Sequence, residues 1–347
     1  MGDNGFLQGS ITNPSNITLH TIYSSINAKG KSIRVFNKDL SKAEIEGLDK
    51  FLASIYPEHE TTAIGSQAWL TSNHIGNVTS DGFVIPEVQG NDAASNPELI
   101  TNAADRDFSS DTGFWTKGAA WSIVGGQAVK SIAESSTFNA NVGQVAGKVY
   151  RIVINVASVT AGSFNIILGG SVASNTISAA GTYTMYLRTT NTGNLFITSN
   201  TTFLGAIESI SVKEVGWADA QSIYDFYISI GQSLLESSKS ASMWCKYNNS
   251  DDNAAVYGYQ LNWWAAYLLS INPPKGLRYP TELDSDQLRT TLGGSVIAAG
   301  KLKKEGLTYW NSPNTGASNE SGFTAIGGGV RLPSDIVTGK QIGRAHV

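Results

Sequence analysis

Between residues 150 and 212 the chain repeats one pattern. Tyr150-Arg151-Ile152-Val153-Ile154-Asn155-Val156 alternates apolar and polar side chains, and so does Ser163-Phe164-Asn165-Ile166-Ile167-Leu168. Tyr183-Thr184-Met185-Tyr186-Leu187, Asn194-Leu195-Phe196-Ile197 and Ile207-Glu208-Ser209-Ile210-Ser211-Val212 follow, separated by turns such as Gly169-Gly170 and Ala180-Gly181. Side chains alternate across a strand, so a period of two puts one face in a core and the other in water. Short strands at this spacing predict a β-sandwich of jelly-roll type. The texture extends over 96–218, where lysines and acids thin out. Composition agrees: charged residues are 15% and Gly 36 of 347, against roughly 25% and 7% in ordinary globular chains. The surface is therefore neutral, polar and rich in turns.

The remaining bulk properties mostly exclude. Hydrophobic residues are 41%, enough for a core and too many for a disordered chain. The net charge of −4 gives no attraction to nucleic acid. No apolar run approaches the ~20 residues that span a bilayer, so no membrane insertion is expected. Met1-Gly2-Asp3-Asn4-Gly5 carries no basic and apolar leader, and no export signal is expected. Gly30-Lys31 and Gly339-Lys340 have Ser25 and Ser334 where a phosphate-binding loop needs Gly. The G-x-S-x-G elbow does not occur, and His20, His59, His74 and His346 form no HExxH pair. Nothing argues for an enzyme.

Either side of the predicted sandwich the pattern differs. Residues 1–60 read as a small α/β segment: short strands, then a helix over 41–56. Ser41 and Glu44 fit a capping box. Ile45, Leu48, Leu52 and Ile55 form an apolar face for packing or for a partner, and Pro57 stops the helix. From 219 on, Ala220, Ile223, Phe226, Tyr227, Ile230 and Leu234 sit at helical spacing. A second short helix runs from Leu283 through Leu288 to Leu292 and ends at Gly293-Gly294. Asn248, Asn249, Asp251, Asp252 and Asn253 offer oxygen ligands that a calcium ion would accept, but without EF-hand spacing, so a solvated turn is expected and no cofactor is assigned.

Two resemblances sharpen this reading. The stretches Glu98-Leu99-Ile100-Thr101-Asn102, Asp107-Phe108-Ser109-Ser110, Gly113-Phe114-Trp115 and Trp121-Ser122-Ile123-Val124-Gly125-Gly126-Gln127-Ala128, with the closing Ile210-Ser211-Val212-Lys213-Glu214-Val215, resemble a sandwich module of bacteriophage tail proteins that is related to carbohydrate-binding modules. Trp115 and Trp121 are its candidate sugar-stacking residues, with core or edge packing as the alternative, because an aromatic face offers apolar area to a pyranose.

The second resemblance lies downstream. Leu292-Gly293-Gly294-Ser295-Val296, Ala299-Gly300-Lys301-Leu302-Lys303 and Tyr309-Trp310-Asn311-Ser312-Pro313-Asn314-Thr315-Gly316-Ala317-Ser318-Asn319-Glu320-Ser321-Gly322-Phe323-Thr324-Ala325 resemble the Fibrobacter succinogenes major paralogous domain. Ile64-Gly65-Ser66-Gln67-Ala68-Trp69-Leu70 and Gly82-Phe83-Val84-Ile85-Pro86-Glu87-Val88 match its opening. Tyr247-Asn248-Asn249 and Tyr257-Gly258-Tyr259-Gln260-Leu261-Asn262-Trp263 match its middle. That resemblance implies a C-type-lectin-like fold used for binding, built from 61–95 and 219–332 and interrupted by the sandwich at 96–218. The expected class is thus α+β and all-β, multi-domain. Gly276-Leu277-Arg278-Tyr279-Pro280-Thr281 lacks the tryptophan the family usually carries there. The asparagines and glycines of the 309–325 motif suit Asx turns and positive φ, a scaffold in which Trp310, Asn311 and Asn314 are the candidate ligand contacts.

Gln341-Ile342-Gly343-Arg344-Ala345-His346-Val347 resembles translated sequencing adapter, making 333–347 a truncated or artificial tail. On that expectation the lectin-like domain lacks its closing strands, and Cys245, the single cysteine, is either a packed residue or half of a pair whose partner lay in the lost tail. The resemblances together imply a non-catalytic, receptor-binding protein of a phage tail or fibre. Its partners would be bacterial surface carbohydrate and other tail proteins, with a homotrimer as the assembly common among fibres and the virion tail or cell exterior as its location. The alternative is a bacterial cell-surface adhesion protein of the same paralogous family.

Overall fold

The computed structural model describes residues 61–71, 76–274, 277–327, 330–331 and 337–338. The helix expected over 41–56 and the rest of the N-terminal segment lie outside the described residues, as do all of the tail beyond Thr338 and His74. The described chain opens with an antiparallel hairpin, β1 (Thr61–Ile64) and β2 (Gln67–Leu70), turning at Gly65. A short helix, α1 (Ala103–Asp107), follows with Asn102 as its cap.

Nine strands then make the predicted sandwich: β3 (Thr116–Lys117), β4 (Trp121–Val124), β5 (Gln127–Lys130), β6 (Phe138–Ala140), β7 (Val149–Ala161), β8 (Phe164–Leu168), β9 (Gly181–Arg188), β10 (Leu195–Ser199) and β11 (Leu204–Glu214). One sheet has the order β3-β6-β10-β8 and the other β4-β5-β11-β7-β9, all pairs antiparallel. From β5 onward successive strands alternate between the sheets, so every connection crosses the sandwich edge. That requires a turn after each strand, which the Gly- and Asn-rich links supply. The alternation read from sequence is the one observed. On β7, Tyr150, Ile152, Ile154 and Val156 are buried, while Arg151, Val153 and Asn155 face outward. They join Phe138, Phe164, Ile166, Leu168, Leu187, Leu195, Ile197 and Val212 in one continuous core. Each such side chain contributes about 1.5–3 kcal/mol on burial, and among the described residues this is the most extensive apolar cluster.

After β11 the chain becomes helical and looped. Helix α2 (Ala220–Ser229) ends before Gly231, whose φ is +78°. Ser233 then caps a separate helix, α3 (Leu234–Ala241), by accepting from the Glu236 amide. The single apolar periodicity from Ala220 to Leu234 is therefore two helices, with Leu234 starting the second. Then come β12 (Trp244–Cys245), α4 (Asp251–Tyr257), β13 (Gln260–Leu261), α5 (Trp263–Ile271), α6 (Glu282–Thr291) and α7 (Ser295–Leu302). The stop at Gly293-Gly294 is as expected, with φ of +99° and +93°. A last pair, β14 (Val330–Arg331) and β15 (Val337–Thr338), is antiparallel.

The two ends of the sandwich lie side by side. The Trp217 amide donates to Gly90 O and the Ala218 amide to Asn91 O, and Asn96 Nδ2 donates to Glu214 O at 2.8 Å. The sandwich is also docked against the helices. Val149 and Val215 pack with Val88, Ile223, Tyr227, Ala241 and Met243. The Tyr227 hydroxyl accepts from the Arg188 amide, and the Arg188 guanidinium pairs with Glu236 at 2.9 Å. The outer face of the five-stranded sheet is thereby covered where Tyr186 meets Phe226.

Candidate functional site

The sandwich tryptophans are core residues: the core-packing alternative holds for both, and their candidacy as sugar-stacking platforms is corrected. Trp115 is 3% exposed and Trp121 5%. Trp115 stacks on Phe138 at 4.8 Å between centroids, and its Nε1 donates to Asp105 O at 2.8 Å. Trp121 lies 4.7 Å from Phe138 and 6.0 Å from Phe203. Both rings are wedged between the sheets, where aromatic pairs add dispersion and quadrupole contacts to burial. Neither has a face left for a ligand.

The second group of candidates lies on the 303–325 loop. The Trp310 ring is half-buried, and its Nε1 donates to Ala325 O at 3.0 Å. Asn314 is a scaffold residue: its Nδ2 donates to both Lys304 O and Gly306 O at 2.9 Å. Asn319, at φ +47°, accepts from the Thr324 amide at 2.7 Å. The loop lies directly on α7, where a Cβ at Gly300 would collide with Gly316 O. The Ser318 amide donates to Gly300 O, and the Ser321 amide to Lys301 O. Of the three residues singled out, Asn311 is exposed, Trp310 keeps part of its ring at the surface and Asn314 is committed to backbone. Beside them lie residues that sequence reasoning passed over. Lys304 Nζ sits 4.6 Å above the Tyr309 ring and Lys303 Nζ 5.5 Å above Trp310. Tyr257 meets Tyr309 edge-on at 6.2 Å and Tyr247 at 5.6 Å.

The amide and acidic turn at 248–253 spends its groups locally. Asp251 pairs with Lys246 at 2.6 Å, Ser250 caps α4, and Asn253 Nδ2 donates to Tyr247 O. Among the described residues no group of three or more His, Cys, Asp or Glu side chains is arranged to hold a metal. Cys245 is buried, with Sγ 3.5 Å from Gln260 Oε1.

The sandwich has one open aromatic platform, and it is centred on Phe196. Leu195 and Ile197 point into the core, so Phe196 points out of the four-stranded sheet and is 38% exposed. The strand register places Thr116, Asn139, Phe196 and Ile167 in one row across the sheet. Asn165 and Thr198 pair in the neighbouring row. Asn194 Nδ2 donates to Asn139 Oδ1 at 2.7 Å, and Asn165 Nδ2 donates to Ser174 O at 2.8 Å, so both amides are held in fixed orientations. Asn139 is itself buried, at 7% exposure, so the apolar ring is framed at the surface by Asn165 and by the exposed Thr116 and Thr198. The opposite sheet differs. On its outer face Asn155, Ser209 and Thr182 hydrogen-bond one another at 2.7 and 2.6 Å, so part of its polar capacity is closed internally. The signal for Phe196 was present in the alternation of 194–197.

Among the described residues no helix is long and apolar enough to cross a membrane. No protein-family model matches the chain, and no curated protein does. Several solved structures align with part of it. The mannan-binding module of Man5C, in bound conformation, is 16% identical with a TM-score of 0.24, covering 30% of this chain and 95% of the module. The second N-terminal cellulose-binding domain of Cellulomonas fimi β-1,4-glucanase C is 12% identical with a TM-score of 0.26, covering 35% and 97%. A structure described as "CBM4 structure and function" is 14% identical with a TM-score of 0.20, covering 40% and 99%. At these scores the alignments carry none of the argument. The class of the described chain, mixed α+β and all-β with an antiparallel two-sheet sandwich, stands on its own topology.

Proposed function

We propose that the chain is a non-catalytic glycan-binding protein whose sandwich contacts sugar through the Phe196 platform. The observation that carries this reading is the exposed ring at the middle of a sheet face, flanked at the surface by Thr116, Asn165 and Thr198. A pyranose presents an apolar C–H face and a rim of hydroxyls. An aromatic ring with an oriented amide and hydroxyls beside it is complementary to both. Neutral polar flanks suit a neutral sugar, since nothing on the platform is charged.

The wider setting is part of the same proposal and is supported by sequence resemblance. It is a bacteriophage tail or fibre protein that attaches to bacterial surface glycans, alongside other tail proteins and with a trimer as its assembly. The motif at 292–325 favours a second reading, a bacterial cell-surface adhesion protein of the Fibrobacter paralogous type. Tail or capsid genes beside this one support the first; an upstream export leader supports the second.

Affinity electrophoresis and calorimetry with cello-oligosaccharides, manno-oligosaccharides and neutral O-antigen-type glycans test the platform. Wild-type retention on at least one, lost on Phe196→Ala with the fold intact, is the expected result. Retention unaffected by that substitution overturns the platform.

A further inference from the structure

Lys303 and Lys304 differ from the other described lysines in being adjacent, each over an aromatic ring, with no described carboxylate paired to either. Lys117, Lys148, Lys239, Lys246 and Lys301 each lie within 4 Å of a carboxylate. Lys130 is buried against the Ile132 and Phe203 carbonyls, and Lys213 donates to Ala94 O. Lys303 and Lys304 are adjacent and half-buried, and no described carboxylate pairs with either. Lys303 Nζ donates only to Thr315 O, at 3.2 Å, and both amines rest over aromatic rings. Cation–π contact holds an ammonium in place without neutralising it. The ring beneath Lys304 belongs to a strip running from Tyr309 to Tyr257 and Tyr247, and Trp310, beneath Lys303, is the next residue in the chain. The exposed Asn248 and Asn249 follow Tyr247 in the chain, Asn249 with its Nδ2 donating to Gln89 O at 3.3 Å.

We infer that this strip is a second saccharide site and that its ligand is an acidic sugar, bearing a carboxylate or phosphate. The inference rests on reading the chain as a saccharide-binding protein and adds a site and a ligand class to it. Two uncompensated ammonium groups make charge-assisted hydrogen bonds to an anion, stronger than those between neutral groups. The tyrosines supply apolar area for the ring that carries it, and the exposed Asn248 amide meets its hydroxyls. The Phe196 platform, uncharged and on a sheet face, does not share this chemistry.

The test is calorimetric titration of the full chain with oligogalacturonate and with a phosphate-substituted oligohexose, which separates the two anion types. Lys303→Gln/Lys304→Gln is expected to weaken binding of at least one by about tenfold, the scale of one strong interaction. Lys303→Arg/Lys304→Arg is expected to retain it, and Lys301→Gln, whose amine already pairs with Glu320, to leave it unchanged. Wild-type affinity is also expected to fall with added salt. Unchanged affinity in the Gln double variant, or loss in the Arg variant equal to that in the Gln variant, overturns the inference. So does failure of the wild-type chain to bind either acidic ligand. Wild-type retention on neutral glycans in that last case leaves the Phe196 reading standing, so the two failures are distinguishable.

Discussion

The sandwich and the looped α/β region are held together by different physics. In the sandwich the large side chains of both sheets meet in one continuous core, from Tyr150 and Ile154 on β7 to Phe164, Leu187 and Leu195 opposite. The looped region has only small clusters. One gathers Ile64, Trp69, Leu288, Leu292, Ala298 and Phe323; another gathers Ile85, Trp244, Ala265 and Leu269. What holds its long loops is hydrogen bonding from fixed side chains to backbone: Asn314 to Lys304 and Gly306, Asn319 to Thr324, Asn262 to Ala241 and Met243. Apolar burial is non-directional and tolerates repacking, whereas hydrogen-bond scaffolds depend on individual atoms. The sandwich should therefore fail through lost volume, and the loops through single polar or steric changes.

The largest effect belongs to the sandwich. Phe138 stacks between Trp115 and Trp121, and Phe138→Ala should cost about 3–5 kcal/mol, since it removes a ring and leaves a cavity. Urea denaturation followed by near-ultraviolet circular dichroism measures it. A cost below that of any loop substitution would reverse the contrast. Next is Gly300→Ala, where the new Cβ meets the Gly316 backbone. Neither partner is a flexible side chain, so about 2 kcal/mol is expected, in the range of overpacked cores. Hydrogen exchange should accelerate across 303–325 and not in β7 or β11; uniform acceleration would mean that the two regions unfold as one.

A third substitution tests electrostatics. Asp284 is largely buried at the start of α6. Arg278 donates to both of its oxygens, the second contact at 2.6 Å, and the Thr281 amide and hydroxyl donate at 2.7 Å. The Arg278 guanidinium, aided by Thr281, holds this carboxyl well below the usual carboxylate range. A carboxyl with a lowered folded value binds protons more weakly folded than unfolded. Its stabilisation is complete above its unfolded value, about pH 3.9, and drains as pH falls further toward the folded one. Asp284→Asn should cost about 1.5 kcal/mol at pH 7 through the loss of charged hydrogen bonds. It should also flatten stability between pH 4 and pH 2, an estimate on the scale of one carboxylate titration. A variant with the same acid profile as the wild type would assign that profile to other carboxylates.

What could be read from sequence divides along the same line. The strands of 149–214 were legible because alternation reports directly on a two-sided sheet. The two- to four-residue strands β3, β4, β5 and β6 were not, being too short to show a period, and neither was the break in α2, since Gly231 sits inside an apolar spacing that continues past it. Residue type left core packing and sugar stacking open together at Trp115 and Trp121, and burial selects the core. An indole is equally at home in a core or at a sugar site, and strand direction, not identity, decides which. In the loops, Asn311 and Asn314 are indistinguishable by type, yet one is exposed and the other is spent on two carbonyls. Where side chains act on backbone far along the chain, no local pattern encodes the partner.

Phe196→Ala should have the smallest effect on stability and the most specific effect on binding. The ring lies on the outside of its sheet, and substitutions at such positions usually change stability by less than about 0.5 kcal/mol. Its neighbours on β10, Leu195 and Ile197, are buried, and the same change at either should cost about 2–5 kcal/mol. Three consecutive residues thus separate folding from recognition within one strand. If Phe196→Ala destabilises the sandwich as much as Leu195→Ala, the ring is packed against the protein and not available to a ligand. If it leaves the melting transition in place while retention on neutral glycans disappears, the outer face of the four-stranded sheet is a binding surface. Thr198→Val then divides that surface further. Its exposed hydroxyl lies two residues from the ring on the same face of β10, so losing it should weaken binding of sugars with a hydroxyl in reach and spare those without. Phe196→Ala should weaken both alike.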